Sequence, residues 1–291
     1  MLVEKSKYFA NRTNGRSAAR IEDLSGEFAD GCAVVRPSLS ESCRSASDSL
    51  RWPMATSNDP NSYSRDWFEL FHVGISSTRT DQETAFIRHC CPLPSFARLL
   101  DLCCGMGRHA RALAAQDYTV TGVERDARAV AAARDQGGGP TYIQSDVRDY
   151  RPEPASFDAA VIMSQSYGYF EPEVNRELLG RLSAALRIGG RIVLDLWNPD
   201  FFFPRQGQRR FELAAGSVQE TTRMENGRLY SRLDYPSGGR DEFEFQTFTA
   251  AEMASFAQAV GLTLVTACTD FSASVAPSSD KPRIQFVLER R

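Results

Sequence analysis

Gly105 and Gly107 stand two apart at the end of an apolar run, Leu99-Leu100-Asp101-Leu102-Cys103-Cys104-Gly105-Met106-Gly107-Arg108-His109-Ala110. Glycines there permit tight backbone geometry and let a ligand approach the main chain. A helix opening at Arg108 would add free N–H donors. The run also satisfies the loose dinucleotide form G-x-G-x-x-A. Asp101 turns the reading, because a carboxylate beside this turn repels a pyrophosphate and suits a ligand carrying an ammonium. Cys103 shares the turn. Glu124, in Thr121-Gly122-Val123-Glu124-Arg125-Asp126, is placed to accept both hydroxyls of a ribose, with Arg125 beside it. Asp146, in Gln144-Ser145-Asp146-Val147, is placed to accept from an adenine amino group while the Val147 N–H donates to the ring. Each carboxylate alone is more often a solvated turn residue or a helix cap. Their recurrence after successive apolar runs carries the signal.

A second group follows the fourth apolar run, in Ser164-Gln165-Ser166-Tyr167-Gly168-Tyr169-Phe170-Glu171. Ser164 joins the ligand set, and Tyr167, Tyr169 and Glu171 are the residues here suited to handling a proton. Tyr63, Trp67 and Phe71 offer aromatic faces that can stabilise a cationic centre, although packing of a cover helix explains them equally well. Trp197 and Asn198, after the fifth run, complete the substrate-side set. Arg79, expected between two N-terminal helices, can pair with a ligand carboxylate. Of the three histidines, His109 is nearest the glycine turn and reads as a helix-surface residue. No His/Cys/Asp cluster has metal-ligand spacing, so no metal is expected. Ser164 and Ser166 lack the flanking glycines of a hydrolase elbow.

These side chains need a scaffold that brings the ends of several strands together. Apolar runs at 98–103, 118–123, 141–144, 157–163 and 191–197 read as buried strands. Helical stretches at 108–116, 126–135 and 172–186 separate them. This alternation predicts an α/β fold, a mostly parallel sheet with right-handed crossovers and helices on both faces. Its ligands bind at the carboxyl ends of the strands. Upstream, Trp67, Phe68, Phe71 and Ile75 recur at helical spacing, and a second helix is expected over 81–90. Between 208 and 248 the pattern breaks into β segments at 217–224, 228–235 and 242–248. Glu225-Asn226-Gly227 and Pro236-Ser237-Gly238-Gly239 punctuate them, so an antiparallel insertion is expected, serving as a lid or a dimerisation surface. A capping box, Thr249 with Glu252, opens a last helix over 249–260. Strands at 262–267 and 283–289 end the chain.

In combination, residues 63–291 resemble the class I S-adenosylmethionine-dependent methyltransferases. Leu99–Ala110 is similar to their first motif, Glu124 to their ribose acid and Ser145-Asp146-Val147 to their adenine-binding turn. Leu186-Arg187-Ile188-Gly189-Gly190-Arg191-Ile192 is similar to the turn before their fifth strand. The resemblance implies a Rossmann-like seven-stranded sheet, S-adenosylmethionine as cofactor, and methyl transfer to a small-molecule N or O nucleophile. The loop after the fourth strand and the strand insertion resemble the small-molecule N-methyltransferases, the aminosugar dimethyltransferases above all, which implies a role in secondary metabolism. Those enzymes carry a histidine after the Gly-Tyr-aliphatic triplet, and Glu171 stands there in this chain.

Composition bounds the rest. The chain has 291 residues, with 34 Lys and Arg against 37 Asp and Glu, a net charge of −3. That balance argues against an affinity built on nucleic-acid phosphates. No apolar stretch is long enough to span a membrane, and seven cysteines without C-x-x-C spacing fit reduced cytoplasmic thiols. Residues 1–60 read as a disordered arm or a non-native extension. Ser38, Ser40, Ser42, Ser45, Ser47 and Ser49 crowd together there, and Met54 offers another start. A transit peptide is opposed by the acidic residues of that arm. The partner expected is a small molecule, acting on a monomer or homodimer. Two other classes share parts of the pattern: an NAD(P)-linked oxidoreductase, and a protein of the same fold with a non-methylating role as a cyclase or binding module.

Overall fold

The computed structural model describes residues 63–67, 70–71, 75–213 and 216–291. The expected N-terminal arm, its serine cluster and Met54 lie outside the described residues, as do Phe68 and His72.

Seven strands form the main sheet in the order β10-β11-β5-β4-β1-β2-β3. They are β1 (Arg98–Leu102), β2 (Thr119–Glu124), β3 (Thr141–Gln144), β4 (Phe157–Ile162), β5 (Leu186–Trp197), β10 (Leu262–Cys268) and β11 (Arg283–Arg290). β11 runs antiparallel to both of its neighbours, whereas β3, β2, β1, β4 and β5 pair in parallel. Every residue of β4 is buried, as a central strand covered on both faces requires. The side-chain period of two then sorts the core into two layers. Leu100, Leu102 and Ile162 pack with α5 (Pro172–Ala185) and α7 (Ala250–Gln258). Leu99 and Val161 pack on the other face with α2 (Ser77–Cys90), α3 (Arg108–Ala114) and α4 (Ala127–Asp135).

The predicted strands and helices occur with small shifts. β5 is longer than expected, because Leu186 already pairs with Phe157 and the register shifts before Arg191 pairs with Ala159. Gly189, at φ +72°, turns the chain within that irregularity. α2 begins four residues earlier than the expected start at 81, because the Ser76 hydroxyl accepts the Arg79 N–H at 3.1 Å. The capping box of Thr249 and Glu252 forms as read.

The insertion is a second, antiparallel sheet of four strands: β6 (Gly207–Leu213), β7 (Gly216–Glu225), β8 (Arg228–Asp234) and β9 (Arg240–Gln246). β6 is an addition to the expected three segments. Phe211 and Leu213 are its only large apolar residues, so it lacks the alternation that marks a strand; Arg209 instead pairs with Glu220 across the ladder. Asn226 and Gly227, both at positive φ, turn β7 into β8.

The N-terminal aromatic periodicity gives no continuous helix. α1 is the single turn Arg65–Trp67, and Leu70 and Phe71 lie in a π-type turn. The rings of Tyr63, Trp67 and Phe71 pack on the inner face of the antiparallel sheet with Leu229, Leu233, Phe243 and Phe245.

Candidate active site

The carboxyl ends of β1, β2, β3, β4 and β5 converge where the strand order reverses between β1 and β4, the place an open α/β sheet binds ligands. β1 leads through Cys103, at φ +61°, into Gly105 at φ +53° and Gly107 at φ +75°. Gly107 caps α3 and has no room for a side chain, since a Cβ there would fall 2.7 Å from Cζ of Tyr142. At Gly105 nothing lies within 4 Å of that position, so the turn is open toward a ligand.

Glu124 holds this turn in place. Its Oε2 accepts the Gly105 N–H at 3.0 Å, and its Oε1 accepts the N–H groups of Arg125 and Asp126 at 2.8 and 2.9 Å. A carboxylate offers about four acceptor positions, so capacity remains for a ribose hydroxyl. Asp146 lies two residues beyond β3 and takes the Arg148 N–H at 2.8 Å and its guanidinium at 2.8 and 3.0 Å. The Arg148 hydrogen bond holds the Asp146 carboxyl below the usual carboxylate range against a smaller opposing effect of burial. Val147 is buried in the core layer beside it.

Asp101 is 1% exposed, and its Oδ2 has no hydrogen-bond partner. Burial pushes its carboxyl up to about 6, against the opposing charges of His109 and Arg108 and a hydrogen bond from the Ala110 backbone. A buried carboxylate oxygen without a donor is costly. An ammonium group placed beside it supplies both the missing donor and the missing charge.

Arg79 lies elsewhere than expected. It belongs to the first turn of α2 and donates from Nε to Glu83 Oε1 at 2.7 Å. Glu83, 2% exposed, also takes Arg108 and the His109 Nε2 at 2.7 Å. Burial alone would raise the Glu83 carboxyl; the His109 hydrogen bond and the charges of His109, Arg108 and Arg79 hold it well below its ordinary range. His109 is accordingly a buried partner of Glu83 and not a helix-surface residue. Arg108, which sequence reasoning passed over, reaches Ser164 Oγ at 3.1 Å and Thr80 Oγ1 at 3.2 Å. It therefore joins the glycine turn to the loop after β4. Its place directly after Gly107 was the available signal.

On the acceptor side the structure sorts the predicted residues. The hydroxyls of Tyr63 and Tyr169 are hydrogen-bonded to each other. Around them, Tyr63 packs on Trp67 and Phe243 with ring centroids 4.2 and 5.0 Å apart, and Tyr169 on Phe245 at 5.1 Å. Phe71 and Trp197 belong to the same cluster. Tyr169 lies on the loop that follows β4, which sets the pair at the carboxyl end of that strand. Burial pushes the Tyr63 phenol up to about 12 and that of Tyr169 well above its ordinary value. Cys103 shares this place, its Sγ 3.8 Å from the Ser166 carbonyl, and burial raises its thiol strongly.

Two predicted residues serve the scaffold instead. Tyr167 is 1% exposed in the core, stacked on Phe248, with its hydroxyl donating to the Asn175 carbonyl at 2.8 Å. Asn198 caps α6 (Pro199–Phe202) and donates to the carbonyls of Ser278 and Lys281 at 2.8 and 2.9 Å, so its amide is spent. Glu171 is exposed at the N-cap position of α5 and makes no capping hydrogen bond. Among the described residues no group of His, Cys, Asp and Glu is arranged to hold a metal ion.

The fold is that expected of a class I methyltransferase. A family model described as a methyltransferase domain matches residues 99–190. The putative methyltransferase YqeM of Bacillus subtilis (strain 168) is 25% identical over 237 residues, 74% of this chain and 92% of that protein. A dTDP-3-amino-3,6-dideoxy-alpha-D-glucopyranose N,N-dimethyltransferase of Streptomyces fradiae is 32% identical over 128 residues, 43% of this chain and 48% of that one. The structure of the sugar N-methyltransferase KedS8 from Streptoalloteichus superposes with a TM-score of 0.60 at 20% identity, covering 82% of this chain and 97% of KedS8. The chain is an S-adenosylmethionine-dependent methyltransferase. The partnerless Oδ2 of Asp101, the open Gly105 turn and Glu124 fit the ammonium and ribose of that cofactor.

Proposed function

We propose that this enzyme methylates an amine nitrogen on a small, sugar-like molecule, in the secondary metabolism of the cytoplasm. The observation that carries the reading is the Tyr63–Tyr169 hydroxyl pair, set in an aromatic cluster packed on the antiparallel sheet. Aromatic faces suit the C–H surface of a sugar ring, and the two hydroxyls suit its polar edge. Neither a net charge of −3 nor the loop Ser164-Gln165-Ser166-Tyr167 favours a nucleic-acid base. Among the described residues no helix is long and apolar enough to cross a membrane. The likeness to an aminosugar dimethyltransferase supports the choice of nitrogen.

When bound, S-adenosylmethionine supplies a methyl group already activated by its sulfonium. Asp101 would hold the cofactor's ammonium, Glu124 its ribose, and Asp146 with Val147 its adenine. Arg108, braced by Glu83, would hold its carboxylate. The protein's remaining task is to present a neutral lone pair in line and to keep water out. Tyr63 and Tyr169 stay protonated at neutral pH, so they orient an amine by hydrogen bonding and do not act as bases. Glu171, exposed on the same loop, would relay the released proton to solvent.

The test is a transfer assay with methyl-labelled S-adenosylmethionine on amino sugars, simple amines, phenols and carboxylates. Labelling of 3-amino-3-deoxyglucose or its nucleotide-linked form is expected. Labelling confined to phenols or carboxylates overturns the reading.

A further inference from the structure

The loop that carries Tyr169 is held from below by a buried ion pair that nothing above has used. Asp195, near the end of β5, is 0% exposed. Its Oδ1 accepts from Arg283 Nε at 3.1 Å and Gln285 Nε2 at 2.8 Å, both on β11. Its Oδ2 accepts from Arg283 Nη2 and from the Ser164 N–H at 3.1 Å. The Asp195 carbonyl takes the N–H of Gln165 at 2.9 Å. Ser164 and Gln165 are both left-handed, at φ +55° and +61°. Two consecutive non-glycine residues in that region are strained and persist only where their surroundings impose it. Gln165 continues the template, since its side chain takes the Trp197 N–H and donates to the Tyr167 carbonyl at 3.0 Å. The loop then passes Gly168, whose carbonyl accepts the Gln246 N–H of β9 at 2.7 Å, and reaches Tyr169. Arg283 also stacks on Trp197, 4.4 Å from its ring centroid.

A buried ion pair gains little net stability over a packed apolar pair, so its value here lies in fixing geometry. We propose that Asp195 and Arg283 are the positioning pair of the acceptor side, setting the backbone of residues 164–169 and through it the place of the Tyr169 hydroxyl. This rests on the acceptor reading above. Asp158 provides a matched control at the opposite end of the sheet. It is 7% exposed and accepts from the Arg98 N–H at 2.8 Å, its Nη2 at 2.9 Å and the Arg187 Nε at 3.1 Å.

The experiment compares full-length Asp195→Asn, Arg283→Met, Arg283→Lys and Asp158→Asn. Amide exchange over residues 163–170, S-adenosylhomocysteine affinity and turnover of 3-amino-3-deoxyglucose are read for each. In Asp195→Asn and Arg283→Met the loop amides should exchange at least tenfold faster and kcat should fall at least tenfold. S-adenosylhomocysteine affinity should stay within threefold. Arg283→Lys should recover kcat to within threefold of the parent, and Asp158→Asn should lower Tm while leaving loop exchange and kcat unchanged. Unchanged loop exchange in Asp195→Asn overturns the proposal. So does an equal loss in Asp158→Asn, or a cofactor-side loss as large as the loss in kcat. If the parent enzyme leaves both this amino sugar and its nucleotide-linked form unmethylated, the acceptor reading fails, while the exchange comparison still decides the positioning role.

Discussion

The cofactor half and the acceptor half of the site hold their polar groups by different means. Around the ribose and adenine acids of the first, side chains bind backbone close in sequence or one strand away: Glu124 takes three N–H groups, and Asp146 caps its own turn with Arg148. In the second, groups far apart in sequence meet directly. Tyr63 bonds to Tyr169, Ser64 to Asp241 at 2.8 Å, and Asp66 to Ser237 at 2.8 Å. Backbone-anchored geometry changes little when a neighbouring side chain changes, whereas a chamber of mutually supporting side chains is remade by a few substitutions. The first half therefore suits a fixed cofactor and the second a specific acceptor.

The largest expected effect breaks the cofactor half outright. Gly107→Ala meets the Tyr142 ring in a left-handed conformation and should cost about 3 kcal/mol in urea unfolding. Gly105→Ala, with open space around it, should cost only the backbone strain, about 1 kcal/mol. Equal losses at the two positions would remove Tyr142 as the reason.

Glu124→Ala comes next. Losing a charged acceptor should weaken S-adenosylhomocysteine binding by about 1.5–3 kcal/mol in calorimetry, with kcat at saturating cofactor changing less. An unaltered dissociation constant would take Glu124 out of the site.

Asp101 sets a pH dependence of known sign. Its carboxyl must be ionised to pair with an ammonium, and burial pushes it up to about 6. Cofactor affinity should hold above that pH and fall about tenfold per unit below it, and Asp101→Asn should flatten the profile. Unfolded, the same carboxyl titrates near its ordinary value of about 4. The folded apoprotein then binds more protons between pH 4 and 6, so this group makes stability fall as pH rises through that window.

The smallest effects sharpen the acceptor half. Tyr169→Phe should leave S-adenosylhomocysteine affinity unchanged and lower kcat/KM roughly tenfold, the worth of about one hydrogen bond. Glu171→Gln should lower turnover about threefold, since water can replace an exposed carboxylate as proton carrier. Loss of cofactor affinity in Tyr169→Phe would erase the distinction between the two halves.

Local residue pattern sufficed for the α/β alternation, the glycine turn, and the acids at the carboxyl ends of β1, β2 and β3. These are local: period-two burial fixes a strand, and Asp101, Glu124 and Asp146 each lie within a few residues of the strand end that positions them. Tyr63, Trp67, Phe71, Tyr167 and Tyr169 were likewise legible as candidates for one aromatic pocket, because rings outside the strand pattern still need burial. Which of them touch was settled by contacts between distant parts of the chain. Tyr167 and Tyr169 are two residues apart and alike in type, yet one hydroxyl caps the Asn175 carbonyl and the other faces Tyr63. Arg79 fell to Glu83 because Ser76 starts the helix early. The Asp195–Arg283 pair joins residues 88 apart in the chain. No local pattern records such a contact: the antiparallel register of β5 against β11 creates it, and that register is settled by the packing of the whole sheet.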